Sequence, residues 1–155
     1  MKNFLASSVF CFAIAFSQST KADLEKGKWN FVKDANYCYI GSLPHKTDIP
    51  EGKNRGDTYL IVYRINNSSS SIVQIVAGYP FKQNKDVEVK IDKTLYNFYS
   101  EDDTAWTKDD KTVIYAMKKG IELSVSAESS RGTKTTDIYT LRGFTKAFNM
   151  FLNDC

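Results

Sequence analysis

The sequence IELSVSAESSRGTKTTDIYTLRGFTKAF, residues 121–148, predicts a β-hairpin that leads into a helix. Ile121, Leu123, Val125 and Ala127 occupy every second position, and polar and apolar residues alternate again in 137–141, which is the period of half-buried strands. The turn between the strands falls at 129–132, where Gly132 can adopt a positive φ.

The segment after this hairpin predicts a short helix near the end of the chain. Gly143 ends the second strand, and Thr145 is the residue type that caps helix N-termini. Ala147, Phe148, Phe151 and Leu152 follow at helical spacing. A helix this short needs to pack against the sheet to be stable.

Upstream, period-two patterns and turn signals predict strands at 28–33, 37–40, 58–65, 71–77, 87–91 and 95–99. Two stretches contain signals for irregular structure, a long loop at 42–57 and an acidic segment at 101–110. A helix is predicted at 111–119, with Asp109 and Asp110 at its start and Gly120 as a C′ residue. The fold class is therefore mainly β, an antiparallel sandwich or flattened barrel of roughly eight strands with two short helices over an end or edge.

The first 22 residues have the pattern of a secretory signal peptide. Lys2 precedes an apolar run of about 13 residues, and Ala22 provides a small residue before a cleavage point. A retained membrane anchor is the alternative, but the run is short for a bilayer span. A lipoprotein is not indicated, because the bulky Phe10 precedes Cys11. We therefore expect a signal peptide at 1–22 and a single β domain at 23–155, with no transmembrane segment after cleavage.

The charge of the chain gives no indication of a nucleic-acid partner. Loss of the leader removes Lys2 and Lys21 but no acidic residue, so the formal charge falls from +3 to +1. The basic residues of 23–155 are spread along the chain and form no stripe or cluster.

Two cysteines remain after the leader, Cys38 and Cys155. In an oxidising compartment such a pair predicts a disulfide. The alternative is two free thiols with a metal or redox role, but the pair lacks the close spacing of such sites.

Several short segments resemble the invasion-associated locus B proteins of alphaproteobacteria, a family of small exported domains. They are Arg55-Gly56-Asp57 before an apolar strand, Gly78-Tyr79-Pro80-Phe81, the acidic segment ending in Trp106, Ala116-Met117-Lys118-Lys119-Gly120, Ser129-Ser130-Arg131-Gly132-Thr133, Asp137 and Gly143-Phe144-Thr145. The resemblance implies a mainly β exported domain, and the family name comes from host-cell invasion. It implies no reaction or ligand.

No catalytic or metal site is predicted, and no cofactor. His45 is the one histidine of the sequence, and it lies in the long loop without a motif that would supply a nucleophile or an orienting acid. The acidic residues 101–103, 109 and 110 lack the ligand spacing of a calcium loop, so we expect a solvated loop and a helix start. Paired carboxylates that converge only in the fold remain an alternative.

Five residues are candidates for binding a partner. Arg131 lies at a hairpin tip, where its guanidinium could clamp an anion or instead bond Asp137 or the acidic segment and lock the turn. Tyr79, Phe81, Tyr99 and Trp106 could form an exposed aromatic patch beside the long loop.

These observations favour a non-catalytic binding protein of the periplasm or cell envelope, periplasmic or secreted, whose partner is an unidentified envelope or host-surface protein. Two other functions are open. One is an envelope enzyme whose acidic residues converge in a pocket, and the other is an enzyme inhibitor that presents the loop at 42–57.

Overall fold

The computed structural model describes residues 24–65 and 68–155, so the signal peptide predicted at 1–22 lies outside the described residues. In this part of the chain we find ten strands and two helices. The strands are β1 (Asn30–Lys33), β2 (Tyr37–Ser42), β3 (Lys46–Thr47), β4 (Tyr59–Ile65), β5 (Ile72–Val76), β6 (Val87–Ile91), β7 (Thr94–Glu101), β8 (Thr104–Trp106), β9 (Glu122–Glu128) and β10 (Lys134–Thr140), and the helices are α1 (Asp110–Lys119) and α2 (Phe144–Asp154).

The strands form one antiparallel sheet that curls into a half-barrel. Their order is β1-β2-β4-β5-β8-β7-β6-β9-β10-β3. β3 follows β2 closely in the chain but pairs with β10 at the other end of this order, so the two ends of the sheet are brought together. The indole Nε1 of Trp29 donates to the carbonyl of Thr140 at 2.8 Å and strengthens the junction.

Apolar side chains on the inner face of the sheet and on both helices form the core. Buried residues alternate along β6 and β10, and Leu60 and Val62 of β4 follow the same period, which is the period that a half-buried strand requires. α2 contributes Phe144, Phe148 and Phe151, and the Trp29 ring packs edge-on against Phe144 with centroids 4.8 Å apart. The mainly β fold with two helices is confirmed.

The predicted ends of α1 are largely confirmed. Asp109 caps the helix by accepting from the Thr112 amide at 3.1 Å, and Asp110 accepts from the Val73 amide of β5 at 2.8 Å. Gly120 has an extended backbone rather than a left-handed one. Its missing side chain is required by packing, because a Cβ there would lie 2.8 Å from a methyl group of Ile91.

The start of α2 differs from the prediction. Gly143, with φ of +85°, is the N-cap residue and provides no side-chain hydrogen bond. Thr145 lies inside the helix, and its hydroxyl donates to the carbonyl of Lys118 at 3.0 Å. Its role is to join α2 to α1, which sequence spacing could not indicate. Leu152, expected on the apolar side of the helix, is exposed.

The sheet has ten strands rather than roughly eight because two predicted irregular segments contain strands. β3 lies in the loop expected at 42–57, and β8 lies in the acidic segment expected at 101–110. Both are too short to leave a periodic pattern. The turn before β8 needs a left-handed residue, which is Asp102 with φ of +53°. Ile121, expected on the buried face of β9, precedes the strand and is 67% exposed.

Within the described residues, neither helix has the length and apolarity that a membrane-spanning helix needs.

Cys38 and Cys155 form a disulfide that joins β2 to the last residue of the chain, 117 positions later. We expect Cys155→Ser to lower the free energy of unfolding by up to about 4 to 5 kcal/mol, since the open chain regains the entropy of a long loop. Urea unfolding checks this, and reduced wild-type protein should show a similar loss. Equal stability of the oxidised and reduced wild-type protein would contradict the prediction.

Candidate functional site

The outer face of β2, β4 and β5 carries a group of tyrosine rings. Because the alternate residues of β4 fill the core, Tyr59, Ile61 and Tyr63 lie on the opposite face. Tyr39 of β2 is the direct cross-strand partner of Tyr63. The rings of Tyr37 and Tyr39 are stacked, with centroids 6.1 Å apart and an interplanar angle of 17°.

Residues 43–58, here called the wall loop, run along one side of this face. Together the sheet and the wall loop enclose a groove of about 770 Å³, here called the tyrosine groove. Its floor contains the tyrosines at 37, 39, 59 and 63 with Ile61 and Gln74, and its wall includes His45, Lys46 and Asp57. Ligand pockets in proteins have volumes of about 300–1,000 Å³ and lining of this mixed character.

A buried ion pair fixes the wall loop to the sheet. The two terminal nitrogens of Arg55 donate to the two carboxylate oxygens of Asp137 in β10, at 2.8 and 2.5 Å. The side chains are only 10% and 4% exposed. Arg55 also donates to the Thr47 hydroxyl at 3.0 Å. This bidentate geometry is the strongest form of such a pair, and it joins the loop to a strand 82 residues later.

Backbone contacts hold both halves of the wall loop. In the first half, the amides of His45 and Asp48 donate to carbonyls of β10 at 2.9 and 3.2 Å. In the second half, the Gly56 amide donates to the Gly78 carbonyl at 2.8 Å. Gly78 has φ of +72°, and a Cβ on it would clash with the Gly56 oxygen, so a side chain at this position would displace the loop.

Electrostatics around the Arg55–Asp137 pair favour the charged guanidinium. Burial alone would lower the pKa of Arg55, but the hydrogen bond and the charge of Asp137 outweigh it, and the pKa is raised. Tyr79 lies beside the pair, and its hydroxyl shares a 2.6 Å hydrogen bond with the Thr135 hydroxyl. The Tyr139 hydroxyl is buried nearby and has no hydrogen-bond partner among the described residues. Burial, above all, raises its pKa well beyond the usual value.

The groove presents neutral phenols and a partly charged rim. Burial is the largest effect that raises the pKa of Tyr39 and Tyr59, so both hydroxyls remain protonated donors at neutral pH. The side chains of Lys26 and Lys46 line the groove, and neither forms an ion pair with any residue that the structure describes. Nδ1 of His45 is buried and finds no hydrogen-bond partner in the described ranges.

The four aromatic residues singled out from the sequence form two separate pairs. Tyr79 packs edge-on against Phe81, which is 5% exposed, beside the buried ion pair. Tyr99, 46% exposed, stacks on Trp106 with centroids 5.9 Å apart. Trp106 is the cross-strand partner of Gln74 on the groove floor. The Tyr99–Trp106 pair therefore continues the outer face beyond the groove.

Arg131 is exposed at the tip of the β9–β10 hairpin. The observed cationic partner of Asp137 is Arg55, which donates to both oxygens of the carboxylate. A role for Arg131 with a partner stays a prediction. The acidic residues at 109 and 110 have structural partners in α1 and β5, as described above, and no cluster of three or more potential metal ligands occurs within 24–65 and 68–155.

Sequence reasoning missed the tyrosine groove and the ion pair that holds its wall. A signal for the groove was present, because Tyr59, Ile61 and Tyr63 make the second face of β4 as apolar as the first. A signal for the ion pair was Asp137, which lies two residues before Tyr139 and therefore on the same face of its strand. A carboxylate on a buried face needs a cationic partner. Neither pattern indicates which distant segment covers that face.

We expect Arg55→Met to lower the free energy of unfolding by about 3–5 kcal/mol, because it leaves the buried Asp137 carboxylate without its partner. The double variant Arg55→Met with Asp137→Leu should lose less stability than the single variant, because no uncompensated buried charge remains. Arg131→Met is the matched control and should change stability by less than about 0.5 kcal/mol. Chemical unfolding measures all three, and equal losses for Arg55→Met and Arg131→Met would contradict the prediction.

Comparison with known proteins agrees with this architecture. The family model described as invasion associated locus B (IalB) protein matches residues 33–151. Among solved structures, the crystal structure of invasion associated protein B from Bartonella henselae is similar, with a TM-score of 0.60 and 14% identity over 83% of this chain and 94% of that chain. At this identity the likeness concerns the fold alone.

No curated protein matches the chain. The family model nevertheless covers well over half of its 155 residues, including the wall loop, Asp137 and most of α2. The chain therefore belongs to the invasion associated locus B (IalB) family.

Proposed function

We propose that this protein is an exported, non-catalytic binding protein of the cell envelope and that it holds its ligand in the tyrosine groove. One observation carries the proposal, the preformed groove of about 770 Å³ between the wall loop and the outer face of β2, β4 and β5. A rigid concave surface with aromatic faces and a few polar groups is the usual form of a ligand site.

The rigid attachment of the wall loop favours a binding groove over an inhibitor that presents a free loop. The Arg55–Asp137 pair and the backbone bonds to β10 and Gly78 hold the wall loop against the sheet. Because these contacts are all made within the protein, binding would not have to order the loop, and less of the interaction energy would be lost. An inhibitor that presents a protruding loop at 42–57 has less support.

Export is supported by the chemistry of the two cysteines and by the leader sequence. The Cys38–Cys155 disulfide is typical of oxidising compartments. The apolar run in the first 22 residues is typical of a secretory signal. Family membership agrees with an envelope or secreted location.

An envelope enzyme is the second candidate, and His45 is the observation that favours it. His45 is a lining residue of the groove, and its buried Nδ1 has no hydrogen-bond partner among the described residues. Asp57 is an acidic side chain that also lines the groove. A general base is oriented by an acid within hydrogen-bond reach, and within the described residues the buried Nδ1 of His45 has no such partner.

Photocrosslinking in the native bacterium tests the groove directly. We expect p-benzoylphenylalanine in place of Gln74 to give an adduct after irradiation, because this position lies on the groove floor. Mass spectrometry of the purified adduct identifies the bound species. The same amino acid in place of Gln83, an exposed residue of the turn before β6, is the matched control.

We expect to recover the crosslinked protein in the envelope fraction. It should contain no free thiols. Adding Arg55→Met to the Gln74 variant should reduce its yield, because the wall loop loses its anchor. Equal yields from positions 74 and 83 would contradict the assignment of the groove as the binding site. Turnover of the crosslinked species by purified wild type, lost in His45→Ala, would favour the enzyme.

A further inference from the structure

The chemistry of the tyrosine groove also restricts the class of its ligand, provided that the groove is the binding site as proposed above. The groove lies on a sheet face, where the backbone groups of β2, β4 and β5 are already paired with each other. An extended peptide needs a free strand edge to add its own backbone to a sheet. On this part of the groove, the floor, a ligand meets side chains rather than unpaired strand backbone.

The side chains of the groove floor combine flat apolar surfaces with hydrogen-bonding groups. The rings of Tyr37 and Tyr39 are parallel to each other, and Tyr63 lies directly across from Tyr39. The phenol hydroxyls and the Gln74 amide can donate and accept hydrogen bonds. A carbohydrate has matching groups, because the C–H face of a pyranose stacks on aromatic rings while its hydroxyls reach polar side chains.

The outer face continues beyond the groove along one row of cross-strand partners. Ile61 pairs with Gln74, Gln74 with Trp106, and Trp106 with Tyr99. Neighbouring strands are about 4.8 Å apart, a distance similar to the length of one sugar unit in an extended chain. The stacked, partly exposed Tyr99–Trp106 pair can therefore serve a second sugar ring of the same chain. This row favours an oligosaccharide over a single small molecule.

The charges on the rim favour an acidic ligand. Lys26 and Lys46 are lining residues without an acidic partner in the described part of the chain, and Arg55 is neutralised by Asp137. Asp57 is the opposing acidic side chain of the lining. With Arg55 paired to Asp137, the two lysines exceed Asp57 by one positive charge among the lining residues.

We propose that the tyrosine groove binds an acidic oligosaccharide, whose rings lie on the tyrosines and on Trp106 and whose carboxylates are neutralised by Lys26 and Lys46. The ligand class follows from the combination of flat aromatic faces, side-chain hydrogen-bonding groups and two lysines that have no ion-pair partner within residues 24–65 and 68–155.

Titration calorimetry with two matched probes tests the proposal on the disulfide-bonded protein of residues 23–155. The probes are hexagalacturonate and the same hexamer with every carboxylate methyl-esterified, which differ in charge but share a backbone. We expect the acid to bind more tightly than the ester, with affinity that falls as salt is added.

Single substitutions test whether the probes bind in the tyrosine groove. Tyr37→Ala should weaken the binding of hexagalacturonate about threefold to tenfold, the range for loss of one aromatic contact. Lys46→Gln should weaken it about twofold to fivefold, as for an exposed ion pair, and should leave the ester unaffected. Lys93→Gln, at the exposed turn between β6 and β7, is the matched charge control and should have no effect.

Gln74→Trp fills the groove floor and should abolish the binding of both probes, while Gln83→Trp should not. Equal affinities for acid and ester would overturn the acidic preference. Binding of deca-proline that is lost in Gln74→Trp, with no binding of either sugar, would overturn the carbohydrate class but leave the groove as a binding site. Hexagalacturonate binding that Gln74→Trp leaves unchanged would overturn the site itself.

Discussion

The buried ion pair between Arg55 and Asp137 is the contact on which the architecture of the site depends. A loop with two glycines and several charges has little apolar surface of its own to bury, so it needs an anchor to stay in one conformation. The bidentate pair supplies that anchor and satisfies a carboxylate that would otherwise be costly to bury. Without it, only backbone hydrogen bonds would hold the wall loop beside the tyrosines of the outer face.

The same ion pair is one of several contacts that bring together segments lying far apart in the sequence. Arg55 bonds Asp137, Gly56 bonds Gly78, and Tyr79 bonds Thr135. Segments separated by 22 to 82 residues in sequence therefore meet at one place in the fold. The family match over residues 33–151 includes all of them. In this chain these short motifs fix the position of the wall loop.

The sequence predicts the parts of the fold that depend on local pattern. Period-two alternation found the β6–β7 hairpin, and charges at the ends of α1 located that helix because they act within one turn. β3 and β8 were missed because each has two or three residues and exists only through a distant partner strand. The groove was missed for the same reason. Alternation shows that β4 is apolar on both faces, but only tertiary structure places residues 43–58 beside one of them.

Native-state hydrogen exchange of the wall loop is the most direct test of this account, since it reports local opening residue by residue. We predict that the amides of His45, Asp48 and Gly56 are protected in wild-type protein without ligand. In Arg55→Met they should exchange much faster relative to the amide of Val62 in the core. Rapid exchange of these amides in the wild type, at rates that Arg55→Met leaves unchanged, would show that the ion pair does not hold the wall.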